Sequence, residues 1–171
     1  MSNSLKSFAW KDIGDIAKGR PTMGVKMHVA VYRMFQYSLR NVLENKYGKD
    51  AIKHILVEAG RVSGIEFCTH LLDIDLAPPD FFDALKQKME ELGIGLLEVV
   101  QADFENLIFI LTVSEDLDCS GVPVSGETVC HYDEGLVMGI LEKYTGKQFV
   151  VKETDCWSTG HWACRFHVVA I

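Results

Sequence analysis

The sequence predicts an α+β fold in which an antiparallel sheet of about four strands packs against helices. Three observations carry this reading. Apolar residues recur at helical spacing up to Gly93, and beyond it the period shortens to that of strands. A single helical stretch then separates two strand pairs, so the strict strand–helix alternation of a parallel doubly wound sheet is missing. Finally, 171 residues with 48% hydrophobic and 24% charged residues suit one globular core.

Residues 1–21 mix charges and glycines among short apolar pieces. They match neither a secretory signal nor an Arg-rich transit peptide, so they read as an N-terminal extension to a single domain at 22–171. Pro21 and Thr22 mark the predicted start of a long amphipathic helix over 22–46, with Met27, Val31, Met34 or Phe35, Leu39 and Val42 at helical spacing. Gly48 closes it, and 49–72 forms a second helix containing "EAGRVSG". Gly60 and Gly64, one turn apart, weaken a helix unless a neighbouring element approaches closely there, so a close contact is expected. In "LAPPDFFDALKQKMEELG", Asp80 is a cap candidate, Gly93 a stop, and Phe82, Leu85, Met89 and Leu92 the apolar face. "GLLEVVQADF" and "LIFILTVSE" read as a hairpin, 116–129 as one long loop, and 131–144 as a helix ended by Gly146. "KQFVVKET" and "HWACRFHVVAI" form the last two strands, joined by a turn at Gly160.

A net charge of −7 with no basic run argues against nucleic-acid and anionic-membrane partners, and no apolar run has the length of a membrane span. Phosphate-cradling glycine loops, Gly-x-Ser-x-Gly and His-Glu-x-x-His are all missing. A cytoplasmic setting is expected. There, an odd count of five cysteines points to metal binding or plain burial rather than disulfides. Cys130, Cys156 and Cys164 fall at the ends of adjacent elements, and a turn near 158–160 brings Cys156 and Cys164 across the last strand pair. Glu153 lies close by. Three thiolates and a carboxylate suit zinc, with His161 and Cys119 as rival fourth ligands and His131 and Asp155 as lesser ones. Burial in the core accounts for free cysteines equally simply.

The stretch "VCHYDEGLVMGILEKYTGKQFVVKETDCWSTGHWACRFHV" resembles the 4-vinyl-reductase-type hydrocarbon-binding domain. The resemblance rests on Cys130, Tyr132 and Gly135 at the helix start, then Thr145 to Lys147, then Glu153, Cys156, Gly160, Cys164 and Phe166; "EAGRVSG" matches upstream. It implies a fold shared with TRAPP-type trafficking subunits, commonly homodimeric, and a structural zinc held by Cys130, Glu153, Cys156 and Cys164. It leaves Cys68 a core residue and Cys119 a loop thiol. It also implies an apolar pocket for a hydrocarbon or aromatic ligand near the zinc. On strand parity and helix position, Leu107, Phe109, Leu111, Phe149, Val151, Tyr132 and Ile140 are the candidate wall. Activators in this family fuse the domain to an ATPase and a DNA-binding module, which this chain lacks, so its output is expected to pass through dimerisation or a regulatory partner. Two other functions stay open: an enzyme or accessory of tetrapyrrole vinyl-group reduction, for which no nucleotide-binding motif is visible, and a dimeric scaffold or adaptor.

Overall fold

The computed structural model describes residues 7–171. A short 3-10 turn (Trp10–Ile13) and a single-turn helix α1 (Ile16–Gly19) precede the long helices. The backbone N–H of Trp10 donates to Glu66 Oε2 at 2.6 Å, and the Trp10 ring stacks on His70 with centroids 5.2 Å apart. These contacts fasten the N-terminal segment to the second long helix. The part of the extension within 1–6 lies outside the described residues.

α2 spans Val29–Tyr47, starting a full turn and more after the predicted position. Gly24 takes a positive φ in the turn ahead of it, and His28 caps the helix by accepting the Ala30 N–H on Nδ1 at 3.1 Å. Its apolar stripe points outward: Val31, Met34, Phe35 and Val42 are each more than half exposed, and α2 has no buried residue. The helix is docked by its polar stripe instead. Tyr32 and Gln36 donate to the Asp118 carboxylate, Arg33 to the carbonyls of Asp116 and Leu117, Tyr37 to the carbonyl of Asp118, and Arg40 to that of Val129. Buried acceptors in the long loop need donors, and one face of α2 supplies them.

α3 (Lys49–Leu71) and α5 (His131–Thr145) meet at a glycine seam. A Cβ added at Gly60 would collide with the Tyr132 carbonyl, and one at Gly64 with the Leu136 carbonyl. Reciprocally, Gly135 faces the Val57 carbonyl and Gly139 the Arg61 carbonyl. The close contact expected at "EAGRVSG" is therefore helix on helix, backbone against backbone. Arg61 Nε closes the seam's far end on Glu142 Oε2 at 2.6 Å.

α4 (Pro78–Leu92) buries Phe81, Phe82, Leu85 and Met89, while Leu92 is half exposed. Phe81 joins the apolar face because α4 is gripped from two sides: its ring stacks on Tyr144 of α5 at 3.6 Å, and Phe82 lies 5.3 Å from Phe109 on the sheet. The sheet comprises β1 (Leu96–Asp103), β2 (Ile108–Ser114), β3 (Phe149–Asp155) and β4 (Ala163–Ala170), ordered β1-β2-β4-β3 and antiparallel throughout. Phe109, Leu111 and Val113 of β2, Phe149 and Val151 of β3, and Cys164, Phe166 and Val168 of β4 are buried on one face. That face packs on α5, which lies between the sheet and α3. Among the described residues, no helix is long and apolar enough to cross a membrane.

Candidate metal centre and adjoining cavity

Four cysteines converge where the long loop, the start of α5 and the β3–β4 turn meet. The sulfurs of Cys119, Cys130, Cys156 and Cys164 all lie within 4.8 Å of one another, and none of the four residues is more than 1% exposed. Each is placed by a local device. Asp116 Oδ1 accepts the backbone N–H groups of Asp118 and Cys119, both at 2.9 Å, folding the loop so that Cys119 turns inward. Cys130 is the N-cap residue of α5. Cys164 follows from the inward parity of β4. Cys156 requires more: with a strict two-residue period, Glu153 and Cys156 would point to opposite faces. A register shift between Glu153 and Asp155 inserts one residue into β3 and brings both inside. Beyond it, Thr159 Oγ1 accepts the Cys156 N–H at 3.0 Å, and Gly160 adopts a left-handed φ of 95° that closes the turn.

The sulfur geometry fits a metal. A tetrahedral ion with metal–sulfur bonds of about 2.3 Å has edges of about 3.8 Å. The Cys130–Cys156, Cys130–Cys164 and Cys156–Cys164 separations are 3.7, 3.6 and 3.9 Å, with Cys119 at 3.2 Å from Cys164. All four thiols are free, and these spacings are far beyond a disulfide bond. Four buried cysteines this close together could hold a metal ion.

Electrostatics point the same way. Hydrogen bonds from Cys119, Cys130 and Cys164 push the Cys156 thiol far down, while Cys119 pushes those of Cys130 and Cys164 up, so negative charge gathers on Cys156. Around the sulfurs lie buried carboxyls. Burial, then Asp118, raises Asp116 to about 6; burial, then the Cys156 sulfur, raises Glu153 to about 8. Burial, then Asp118 and Asp116, holds Asp133 well above the usual carboxylate range. A cation at the sulfurs would offset this accumulation of acceptors.

Of the residues the sequence singles out, Cys130, Cys156 and Cys164 are brought together, and Cys119 joins them. Glu153 stands beside the cluster: its Oε2 accepts the Cys130 N–H at 3.0 Å, and its Oε1 is buried without a partner. His161 is turned outward, 3.1 Å from Thr159 Oγ1; His131 lies 3.3 Å from Glu134 Oε2; Asp155 pairs with Arg165 at 3.0 Å. Cys68 is in the core. The loop position of Cys119, outside any periodic element, hid it; the run of turn-forming residues "DLDCSG" is the one local signal that the chain doubles back there.

Two cavities adjoin this region. The larger, about 540 Å³, lies between α2, α3, the N-terminal segment and the start of α5. Phe8, Trp10, Leu39, Leu56, Phe67 and Leu136 are among its apolar walls, and Asp118, Tyr132 and Asp133 reach it from the residues next to Cys119 and Cys130. Tyr132 is the one candidate pocket residue found there. Leu107 and Phe109 line the second, a cleft of about 310 Å³ shared with Phe82, Phe104 and Tyr144. Leu111, Ile140, Phe149 and Val151 are packed in the core and line neither.

Comparison with known proteins matches residues 109–170 to the family model of the vinyl-4-reductase domain. That span contains all four sulfurs, β2, α5 and the terminal hairpin. The uncharacterized protein MJ0150 of Methanocaldococcus jannaschii is 30% identical over 158 residues, covering 92% of this chain and 86% of the relative. Three solved structures share the fold. A vinyl-4-reductase family protein from the same organism has a TM-score of 0.64 at 19% identity, over 100% of this chain and 99% of the other. The phenol-responsive sensory domain of the transcription activator PoxR, solved with phenol, has a TM-score of 0.67 at 15% identity, over 85% and 76%. Trafficking protein particle complex subunit 3 from Naegleria fowleri, covalently bound to palmitic acid, has a TM-score of 0.68 at 13% identity, over 84% and 95%. The TRAPP-like likeness expected from the sequence is thus present in the fold. With a relative this similar along nearly the whole chain, and a family model seated on the elements that carry the sulfurs, the protein belongs to the vinyl-4-reductase domain family.

Proposed function

We propose that this chain is a small-molecule-binding, sensor-type domain that takes a hydrophobic or aromatic ligand into the 540 Å³ cavity, with a structural zinc beside it. The observation that carries the reading is the sharing of elements between the two sites. The loop that turns Cys119 toward the sulfurs presents Asp118 to the cavity, and the helix start that holds Cys130 presents Tyr132 and Asp133. The volume falls within the range of about 300–1,000 Å³ typical of ligand pockets, and the walls are mainly apolar. The likeness to a phenol-binding sensory domain supports the same reading.

Zinc is the assignment because four thiolates in a closed tetrahedral set favour it and leave no open position for chemistry. Cys130, Cys156 and Cys164 would hold it with Cys119 as the fourth ligand. Glu153, the fourth ligand expected from the resemblance, would then brace the Cys130 backbone. Bound there, the ion would act as a cross-link between loop, helix and hairpin. Residues 22–171 form the binding domain and 1–21 an extension fastened to α3. The outward apolar face of α2, through Met34, Phe35 and Val42, is the surface for homodimerisation; covering it would also cover the cavity mouth where Phe35 and Leu39 lie. Signal output would pass through that dimer or a downstream regulatory protein, and the reduced thiols suit a cytoplasmic setting.

Native mass spectrometry of protein purified without added metal, with elemental analysis of the same sample, tests the reading. One zinc per chain and a co-purified or added apolar ligand bound at one per chain are expected. A metal-free protein that binds no apolar molecule would reject it.

A further inference from the structure

The larger cavity has a polar end whose hydrogen bonding is incomplete. Among the described residues, four buried side-chain atoms lack a partner. One is Glu153 Oε1, beside the sulfurs. The other three, Gln36 Oε1, Arg40 Nε and Asp133 Oδ2, all belong to residues that line the cavity. Asp133 is only 7% exposed, and unpaired polar atoms at such sites are uncommon and destabilising unless something completes them.

The remaining groups at this end are already engaged. Asp118 accepts from Tyr32 at 2.7 Å and from Gln36 Nε2, and an Arg40 guanidinium nitrogen donates to the Val129 carbonyl at 2.6 Å. What remains is one donor and two acceptors facing an apolar chamber. A carboxylate head would meet Asp118 and Asp133 as like charges. An ammonium head could pair with Asp133 but would leave the Arg40 Nε–H unmet and add a second cation beside the guanidinium.

Resting on the ligand-binding reading above, we propose that the cavity selects an uncharged amphiphile bearing a hydroxyl head on an apolar body. The hydroxyl oxygen accepts from Arg40 Nε–H, and its hydrogen is donated to Gln36 Oε1 or Asp133 Oδ2. The body lies against Trp10, Leu56, Phe67 and Leu136. A hydroxyl matches because it donates and accepts from one atom.

The test uses three probes with the same octyl body, 1-octanol, octanoate and octylamine, titrated calorimetrically at pH 7 into the full chain. 1-Octanol is expected to bind about tenfold or more tightly than either charged probe, a margin of the size one charge-assisted hydrogen bond supplies. Gln36→Met and Arg40→Met should each erase most of that preference while leaving octanoate binding little changed. Fluorescence of Trp10, compared with Trp10→Phe, reports occupancy of this cavity in the wild type independently of the variants. Equal affinities, a preference for a charged head, or an alcohol preference that survives both substitutions would overturn the head-group assignment and leave the ligand-binding reading standing. Saturable binding of none of the three probes would instead reject the ligand-binding reading itself.

Discussion

Gly64→Ala is a sensitive perturbation because two effects of opposite sign meet at that site. In an exposed helix, replacing Gly by Ala stabilises by about 0.8–1.0 kcal/mol. At Gly64, the new Cβ would fall against the backbone of α5, with Ile140 N at 2.9 Å and the Leu136 carbonyl closer still. Backbone cannot rotate aside, so α3 and α5 must separate. A gap of about 0.5–1 Å forfeits a quarter to a half of each contact well along the seam. Overpacking of this kind costs about 1–3 kcal/mol, and a backbone obstacle places Gly64 at the upper end. Subtracting the propensity gain leaves a net loss of about 2 kcal/mol, or about 4–8 °C in melting temperature for a chain of this size. Urea and thermal denaturation of the variant measure this directly. Because Gly139 presses on the same pair of helices from the other side, Gly64→Ala/Gly139→Ala should lose less than the sum of the single changes. A Gly64→Ala protein as stable as wild type, or more stable by the propensity increment, would refute the close-contact argument.

Further outcomes follow from the site and the surface. In cobalt-substituted protein, Cys119→Ser should remove about a quarter of the thiolate-to-metal charge-transfer absorbance, one sulfur of four, whereas Glu153→Gln and His161→Ala should leave it intact. Metal affinity should fall as pH is lowered, because protons compete for the thiolates, and a zinc-release titration reads the effect. Met34→Glu with Phe35→Glu should shift a dimer to monomer in sedimentation without lowering metal content, since both side chains are outside the core. At the β1–β2 turn, hydrogen bonds from Asn106 hold the Asp103 carboxyl below its usual range. A depressed folded-state pKa means its small stabilising contribution is present at neutral pH and fades as pH falls through the folded value, so Asp103→Asn should flatten acid sensitivity in that range.

Much of this architecture is legible in the sequence because it depends on local period. Alternation places Phe109, Leu111, Phe149 and Val151 on the inner sheet face, and the spacing of Gly60 and Gly64 announces a close approach. What is not legible depends on partners distant in sequence. The stripe Val31, Met34 and Val42 has the period of a buried face, yet α2 is held by its opposite side, because Asp118 and the loop carbonyls draw Tyr32, Gln36 and Arg33. Cys119 joins the sulfurs through an aspartate-capped turn that no periodicity encodes. The shared inward direction of Glu153 and Cys156 comes from a bulge, which breaks the very alternation used to read strands. Cavities are hidden for a related reason: sequence pattern distinguishes inside from outside, whereas an empty volume depends on how far apart α2 and α3 stand.

The central claim, that the 540 Å³ cavity is a ligand site, is tested most directly by blocking it. Ala59 lines that cavity and has no place in the smaller cleft. Titration of the neutral fluorescent probe N-phenyl-1-naphthylamine into wild type and Ala59→Phe should show one saturable site per chain in the first and its loss in the second, with equal metal content in both. Binding that is absent from wild type, or unchanged when the cavity is filled, would contradict the account.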